Sequence, residues 1–387
     1  MPIVNRIAGL HEEATAWRRD FHQHPELQFD LPRTSAIVAD RLREFGCDEV
    51  VTGIGRTGVV GVIRGKSTAS GRVVGLRSDM DALPLTEITG LAHASTVPGK
   101  MHACGHDGHM AMLLGAGKYL AETRNFDGTA ILIFQPAEEG GGGAREMVAD
   151  GLMERFGVQE VYGMHNGLDP VGTFSVRTGP TSAAADLVRI VVEGKGGHAA
   201  KPHLAVDTIL VAAHIVVATQ SVASRNVDPL GQAVVSICAF NAGFTNNVIP
   251  QTAELRGTVR TFDPAIQDMV ERRLKEIAEG TAAVFGARAE LTYTRGCPAV
   301  VNHAAEADYA AAVAAEVVGD VAVRRDKPPS MGSEDFSFML NERPGCMIGI
   351  GQGGEFGVHH PAYDFNDEIL PIGMSYWARL IETRMPA

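Results

Sequence analysis

The sequence predicts an α/β protein in which a larger domain with a central mixed sheet carries a smaller inserted domain. Short apolar runs alternate with amphipathic stretches through most of the chain, as in layered strands and helices. The middle of the chain instead shows the order βαββαβ, which is typical of a ferredoxin-like unit. The chain has 387 residues. One hydrophobic core usually stops growing at roughly 250–300 residues, so we expect two domains.

The first predicted element is an amphipathic helix near the N-terminus. Its apolar residues recur at the spacing of one helix face, and a proline ends the pattern. These residues are Ile7, Leu10, Ala14, Trp17 and Phe21, followed by Pro25. Further along, the pattern predicts strands at 59–63, 73–76, 131–134, 161–164 and 347–350, with helices at 110–122 and 147–156.

The inserted domain is expected over residues 184–296, which leaves 1–183 and 297–387 for the larger domain. Segments rich in chain-breaking residues lie at both of its ends. A sheet of the predicted kind leaves an edge strand that can pair with a second copy. We therefore expect a homodimer, or a higher homo-oligomer, that assembles through this domain.

Composition restricts the partners and the compartment. A net charge of -12 without a basic run argues against nucleic acid and anionic membranes as partners. The N-terminal residues lack the apolar core of a signal peptide, and the longest apolar stretch is far shorter than the ~20 residues of a membrane span. The five cysteines are scattered and odd in number, unlike a secreted disulfide framework. The sequence predicts a cytoplasmic protein.

Side chains able to bind metal follow three of the predicted strands. Asp79 and Asp81 follow one strand, Glu138 and Glu139 follow another, and His165 follows a third. Ligands of open α/β sheets bind beyond the carboxyl ends of the strands. We therefore expect these side chains to converge.

A cysteine and several histidines add to this set. Cys104 and His106 flank a glycine just before a predicted helix, and His359 and His360 lie late in the chain. Zinc and similar ions bind thiolate, imidazole and carboxylate, and four such ligands close a structural site. A set of more than four donors that includes carboxylates favours a two-metal catalytic site.

Each of these residues has an ordinary alternative explanation. Cys104 alone could be inert packing, His165 a core histidine, and the adjacent Glu138 and Glu139 a solvated turn. A purely structural metal, or a thiol enzyme that pairs Cys104 with a histidine, are further alternatives. Their joint position at strand ends favours the catalytic metal site, in which one glutamate binds metal and the other accepts a proton from water.

Several runs in this order resemble the aminoacylase and carboxypeptidase superfamily of metallopeptidases. The resemblance covers nearly the whole chain and is carried by residues 77–84, 102–109, 135–140, 196–200, 331–336 and 359–361. Within the superfamily, the chain resembles the branch of hippurate hydrolases, bacterial N-acyl-amino-acid amidohydrolases and plant hydrolases of auxin conjugates. The resemblance implies metal-dependent hydrolysis of the amide bond of an N-acyl amino acid.

The resemblance also implies roles for individual residues of the larger domain. It implies two divalent ions (Mn²⁺, Zn²⁺, Co²⁺ or Ni²⁺) bound by Cys104, His106, Glu139, His165 and His359. Glu138 would be the general base, and Asp81 would lie behind a ligand and orient it. His360 is the alternative to His359, which stands two positions before the proline as in relatives with one histidine there.

In the inserted domain the resemblance implies that His198 stabilises the oxyanion of the tetrahedral intermediate, in its own or a partner subunit. A turn residue is the alternative explanation. Asn247 and Arg260 are weaker candidates for holding the substrate carboxylate, and Arg260 could be a surface charge. A dipeptidase or aminopeptidase of the same superfamily is the nearest alternative activity. A non-catalytic, metal-stabilised binding protein is the alternative class, and it would not need Glu138.

Overall fold

The structure, a computed structural model, describes residues 5–387. Residues 1–4, where no export signal is expected, lie outside the described residues. The chain divides into two compact units. The large unit contains the residues up to Thr181 together with Val300–Pro328 and Asp335–Ala387. The second unit, called the insert below, contains Ser182–Ala299 and Pro329–Glu334.

The helices of the described residues are, in chain order, α1 (Asn5–Ala8), α2 (His11–Gln23), α3 (Pro32–Glu44), α4 (His106–Thr123), α5 (Gly143–Ala149), α6 (Leu152–Arg155), α7 (Thr208–Ser221), α8 (Pro264–Val284), α9 (Ala304–Val318), α10 (Ser337–Glu342) and α11 (Leu370–Arg384).

The strands of the same residues are β1 (Glu49–Ile54), β2 (Gly58–Arg64), β3 (Val73–Asp79), β4 (Thr129–Gln135), β5 (Glu160–Gly167), β6 (Phe174–Ser175), β7 (Gly179–Ser182), β8 (Ala184–Glu193), β9 (Gly197–His198), β10 (Ala233–Ala242), β11 (Val248–Ile249), β12 (Thr252–Thr261), β13 (Arg288–Arg295), β14 (Val300–Asn302), β15 (Val323–Arg324) and β16 (Gly345–Gly351).

One mixed sheet organises the large unit. Across the described residues its order is β1-β2-β4-β3-β5-β16-β6-β15. The central strands β4, β3, β5 and β16 are parallel to one another, whereas β1 and β2 pair antiparallel at one edge. The predicted α/β class with a mixed central sheet is confirmed.

Both faces of this sheet are covered, which explains the continuous apolar runs of the sequence. In β4, the side chains of Ala130, Leu132 and Phe134 join a core formed with α2, α4, α9 and α11. Those of Ile131 and Ile133 join a second core formed with α5, α6 and α10. The alternation follows from the two-residue period of a strand.

Three predicted helices differ from the observed ones. The first is divided into α1 and α2 around Gly9, and α4 begins at His106, four residues before the expected start. The helix expected over 147–156 is two helices, because Gly151 adopts a left-handed conformation with φ 80° at the start of α6. Apolar spacing continued across each break because both segments face the core, so periodicity alone did not reveal the breaks.

The insert contains a four-stranded antiparallel sheet in the order β10-β12-β8-β13, with α7 and α8 packed against it. With the chain order β8-α7-β10-β12-α8-β13, this is the ferredoxin-like topology. The insert also gains a segment that was expected in the larger domain. The N–H of Ala183 donates to the carbonyls of Ser330 and Gly332, at 3.1 and 2.9 Å, which attaches Pro329–Glu334 to the insert.

Helix α7 is apolar on more than one face. The stretch Thr208–Asn226 is long and apolar enough to cross a membrane by length and composition alone. Val211 and Ile215 lie in the core of the insert, whereas Leu210 and Val217 are 50% and 73% exposed. A core helix of the insert therefore also presents an exposed apolar face.

A buried cation stabilises the sheet beneath the carboxyl ends of β3 and β4. The guanidinium of Arg77 donates to Asp79 Oδ2 and to Gln135 Oε1, both at 2.8 Å. It also lies 3.3 Å from Asp335 Oδ1, and the side chain of Arg77 is fully buried. The positive charge is thus compensated by carboxylates that are themselves buried.

We predict that Arg77→Met lowers the free energy of unfolding by about 3–5 kcal/mol, because it leaves buried carboxylates without their cation. Urea denaturation followed by circular dichroism measures the change. Arg272→Met is the matched control, since it removes an exposed ion pair with Glu276 that is worth about 1 kcal/mol or less. Equally small losses in both variants would contradict the stabilising role of Arg77.

Candidate metal centre

The predicted site residues of the large unit lie at the carboxyl ends of its parallel strands. Asp81 follows β3, Glu138 and Glu139 follow β4, His165 is near the end of β5, and His359 lies in the loop after β16. Since these strands are parallel neighbours, their carboxyl ends meet at one edge of the sheet. The structure therefore brings the predicted residues together.

All five predicted metal ligands belong to one cluster. Cys104, His106 and His165 form one set of donors, and Cys104, Glu139 and His359 form another, with the donor atoms of each set within 4.8 Å of one another. Cys104 Sγ lies 3.4 Å from His165 Nε2, and His359 Nε2 lies 3.1 Å from Glu139 Oε1. Two overlapping sets of thiol, imidazole and carboxylate suit two adjacent divalent ions.

The imidazoles of His106 and His165, called the inner imidazoles below, are oriented as histidine ligands of a metal usually are. His106 Nδ1 lies 2.7 Å from the carbonyl oxygen of Asp81, and His165 Nδ1 lies 2.8 Å from that of Asn166. Each Nδ1–H therefore donates to the main chain, which leaves each Nε2 directed at other members of the cluster. Among the described residues, His106 Nε2 is buried without a hydrogen-bond partner. A cation would satisfy this nitrogen, so the residues fit a metal site.

Burial sets the charge states around the cluster. It lowers the pKa of His165 to about 3 and raises the pKa of the Cys104 thiol to about 12. Burial also raises the pKa of Glu139, but the contact with His359 and the charge of His106 outweigh it, and that pKa is lowered. His165 is thus a neutral donor and Glu139 a carboxylate. The Cys104 thiol ionises only with help from a nearby cation, which does not favour a free thiolate nucleophile.

Glycine is required between Cys104 and His106. Gly105 has φ 89°, and a Cβ atom there would lie 2.5 Å from Tyr363 Oη and 2.6 Å from Asn166 Oδ1. A larger residue would disturb both the backbone and these contacts. The left-handed turn at Gly105 directly precedes α4, so that Cys104 and His106 enter the cluster together.

Asp81 acts through two different groups. Its carboxylate accepts the N–H of Glu138 at 2.9 Å and that of Glu139 at 3.1 Å. The main-chain carbonyl of Asp81 accepts from His106, whose Nδ1 also lies 3.7 Å from Asp81 Oδ1, while the carboxylate holds the loop that carries both glutamates.

The structure distinguishes the two adjacent histidines. His359 has a left-handed backbone with φ 67°, and its N–H donates to the carbonyl of Ala103 at 2.7 Å. This conformation is uncommon for a residue other than glycine, and it accompanies a ring that contacts Glu139. The ring of His360 instead stacks on Phe356 with 4.5 Å between centroids. His359, and not His360, belongs to the cluster.

A buried polar network behind the cluster was not found by sequence reasoning. In the first turn of α4, His109 Nδ1 lies 2.6 Å from Asp79 Oδ1, and its Nε2 lies 2.8 Å from Asn166 Oδ1. The Asn166 amide donates to Tyr363 Oη at 2.7 Å and to Gln352 Oε1 at 3.1 Å. The three-residue spacing from His106 could have indicated His109, because it places both on one helix face. The uncharged members of the network, Asn166, Gln352 and Tyr363, have no sequence spacing that would indicate them.

The remaining predicted residues lie in the insert and are described within it alone. His198 is exposed and lies in β9 opposite Val248 of β11. Asn247 is near His198 in space, since the carbonyl of Asn247 accepts the N–H of Ala199 at 3.0 Å. The N–H of Ala200 donates to His198 Nδ1 at 3.1 Å. The proton of a neutral His198 ring is therefore on Nε2, where it can be donated.

Arg260 does not lie with Asn247. It is near the end of β12, where its Nη1 donates to the carbonyl of Val259 at 3.1 Å. Asn247 precedes Thr252, the first residue of that strand. The strand between Thr252 and Arg260 spans about 27 Å at its usual rise per residue. Asn247 thus precedes the start of β12 and Arg260 lies near its end, and their contact with a substrate carboxylate stays a prediction.

Comparisons with known proteins identify the family of the chain. The profile of Peptidase family M20/M25/M40 matches residues 75–383. The chain is 41% identical to hippurate hydrolase of Campylobacter jejuni, covering 98% of each chain. It is 40% identical to N-acetylcysteine deacetylase of Bacillus subtilis, covering 96% of this chain and 97% of that protein.

A solved structure extends the comparison. The crystal structure of the Bacillus subtilis YXEP protein, described as a dinuclear metal binding peptidase from the M20 family, matches with a TM-score of 0.85 and 36% identity. The match covers 98% of this chain and 99% of that one. The resemblance inferred from the motifs is confirmed. The chain belongs to the peptidase family M20/M25/M40.

Proposed function

We propose that this protein is a metal-dependent amidohydrolase that cleaves the amide bond of N-acyl amino acids. The observation that carries the proposal is the convergence of five donors and the adjacent Glu138 at one edge of the sheet. Two relatives are named for hydrolysis of hippurate and for deacetylation of N-acetylcysteine, which are both N-acyl amino acids. The ions could be Mn²⁺, Zn²⁺, Co²⁺ or Ni²⁺, since all four accept such donors.

Divalent ions held by these five donors would supply Lewis acidity, which would activate water and polarise a carbonyl oxygen. The remaining steps fall to side chains of the protein. The carboxylate of Glu138, 3.9 Å from His106 Nε2 and 11% exposed, accepts a proton from the attacking water and passes it to the leaving nitrogen. The carboxylate of Asp81 keeps Glu138 in position by accepting the main-chain N–H of Glu138.

The alternatives differ in what they require. A non-catalytic, metal-stabilised binding protein needs the five donors but has no use for a second glutamate held beside them by Asp81. A dipeptidase or aminopeptidase uses the same centre, and only the substrate differs. Release of amino acid from a panel of N-acyl amino acids and dipeptides separates these activities.

We also propose a homodimer that forms through the insert. Strand β10 is at the edge of its sheet, so one side of its backbone can pair with another strand. Helix α7, which packs in the same core as Ile237 of β10, exposes Leu210 and Val217. A second copy would cover both features by a two-fold, self-complementary contact. We place the protein in the cytoplasm, where reducing conditions keep Cys104 available as a ligand.

Removal of divalent ions should abolish hydrolysis, because neither water activation nor carbonyl polarisation is available without them. We predict that dialysis against a chelator stops release of glycine from N-benzoylglycine, and that one of Mn²⁺, Zn²⁺, Co²⁺ or Ni²⁺ restores it. Elemental analysis must confirm the loss of metal. An unchanged rate in metal-free protein would favour the thiol mechanism and contradict the proposal.

The two adjacent glutamates should respond differently to substitution. Glu138→Gln removes the proton acceptor but none of the five donors, so kcat should fall by about 100–10,000-fold with bound metal retained. Glu139→Gln removes a donor, so metal content should fall as well. Each variant serves as the control for the other, and equal metal loss in both would show that the roles are not divided in this way.

His198 should contribute to turnover and not to metal binding. Loss of one oxyanion donor costs about 100–1000-fold in kcat, and His198→Ala should show this loss with normal metal content. If the donor acts on the partner subunit, mixing inactive His198→Ala with inactive Glu138→Gln should restore part of the activity. An inactive mixture with verified subunit exchange would exclude action between subunits, and a normal kcat in His198→Ala would exclude the catalytic role itself.

A further inference from the structure

His109 lies in the first turn of α4, is 2% exposed, and uses both ring nitrogens. Nδ1 lies 2.6 Å from Asp79 Oδ1, so an Nδ1–H donates to that carboxylate. His109 Nε2 lies 2.8 Å from the side-chain oxygen Oδ1 of Asn166. The main-chain N–H of Asn166 points at the same nitrogen, 3.2 Å away. The imidazole therefore joins the carboxyl end of β3 to the carboxyl end of β5.

The ring of His109 is also packed against both inner imidazoles of the metal cluster. Its centroid is 4.7 Å from that of His165 in an edge-to-face arrangement. It is 5.5 Å from the centroid of His106 with 30° between the ring planes. Neither inner ring can rotate far without displacing His109.

Hydrogen bonds extend this contact to the ligand atoms. Asn166, which His109 holds, accepts the Nδ1–H of His165 on its carbonyl oxygen and so fixes the tautomer that directs Nε2 to the cluster. The side-chain amide of Asn166 donates to Gln352 and Tyr363, which flank the loop of His359 in the chain. On the other side, Asp79 is held by the buried Arg77.

His109 could in principle be a metal ligand, because donor atoms of Asp79, His106 and His109 lie within 4.8 Å of one another. Two observations argue against it. Both nitrogens of His109 already have oxygen partners, and Asp79 is neutralised by Arg77. In contrast, His106 Nε2 has no hydrogen-bond partner among the described residues. The nitrogen without a partner, which a metal ion could occupy, therefore belongs to His106, and His109 lies behind that ring.

We propose that His109 is a positioning residue of the metal centre, which fixes the rings of His106 and His165 by packing and, through Asn166, by hydrogen bonding. The inference rests on the proposed metal site but assigns a role to a residue that binds neither ion nor substrate. Partners of this kind typically contribute about 10–100-fold to metal affinity. Its function is to hold the two imidazoles in place before an ion arrives.

The test is a titration of metal-free protein with Co²⁺, whose visible absorption bands report both the dissociation constant and the coordination geometry. His109→Phe keeps a ring of similar size and removes both polar contacts. We expect its dissociation constant for Co²⁺ to rise by about 10–100-fold, with altered bands. His109→Asn can retain the contact to Asp79 and His109→Gln the contact to Asn166. The Gln variant should bind Co²⁺ more tightly than the Asn variant, because Asn166 carries the bond to His165.

Tyr119→Phe is the matched control, since it removes a buried hydrogen bond to Glu382 of 2.9 Å from the same helix but away from the cluster. Distant sites act independently, so its Co²⁺ affinity should stay within about twofold of the parent protein. If His109→Phe does not fold, the Co²⁺ affinities of the His109→Asn and His109→Gln variants test the proposal. Unchanged affinity and bands in the folded His109 variants would overturn the role of His109. Failure of the parent protein to bind any of Co²⁺, Mn²⁺, Zn²⁺ and Ni²⁺ would instead overturn the proposed function.

Discussion

The hydrogen bonds of Asp81 connect three segments that are far apart in the sequence. Its carboxylate accepts the N–H groups of Glu138 and Glu139, and its carbonyl accepts from His106 at the start of α4. The glutamate loop begins with Ala137 in a left-handed conformation, φ 52°. A strained backbone of this kind persists only where its surroundings hold it. One buried aspartate therefore ties the proposed base, Glu138, to the proposed ligands Glu139 and His106.

Burial of polar and charged side chains in the cluster costs free energy, and the same burial sets their charge states. A neutral His165, an ionised Glu139 and a thiol that needs a cation all result from low solvent access combined with close neighbours. Electrostatic interactions are stronger where water is excluded. The buried pair of Arg77 with Asp79 lies behind the cluster and compensates one of its buried carboxylates.

Sequence reasoning succeeded where a local rule determines position. Residues that follow parallel strands must meet at one edge, which placed Asp81, Glu138 and His165 together. It preferred His359 to His360 only through the resemblance, because the structural difference between them, a left-handed backbone at His359, is not visible in the sequence. It grouped Asn247 with Arg260, although Asn247 precedes β12 and Arg260 lies near the end of that strand. The network of His109 has one sequence signal, the three-residue spacing from His106, because burial and partner geometry appear only in the folded chain.

The proposed chemistry requires two divalent ions at the carboxyl edge of the large unit's sheet. Crystals of the Mn²⁺-loaded protein, with anomalous diffraction recorded on both sides of the manganese absorption edge, locate the ions directly. We expect two anomalous peaks per chain, both among the side chains of Cys104, His106, Glu139, His165 and His359. A single peak in the fully loaded protein, or peaks outside these five residues, would contradict the two-metal centre.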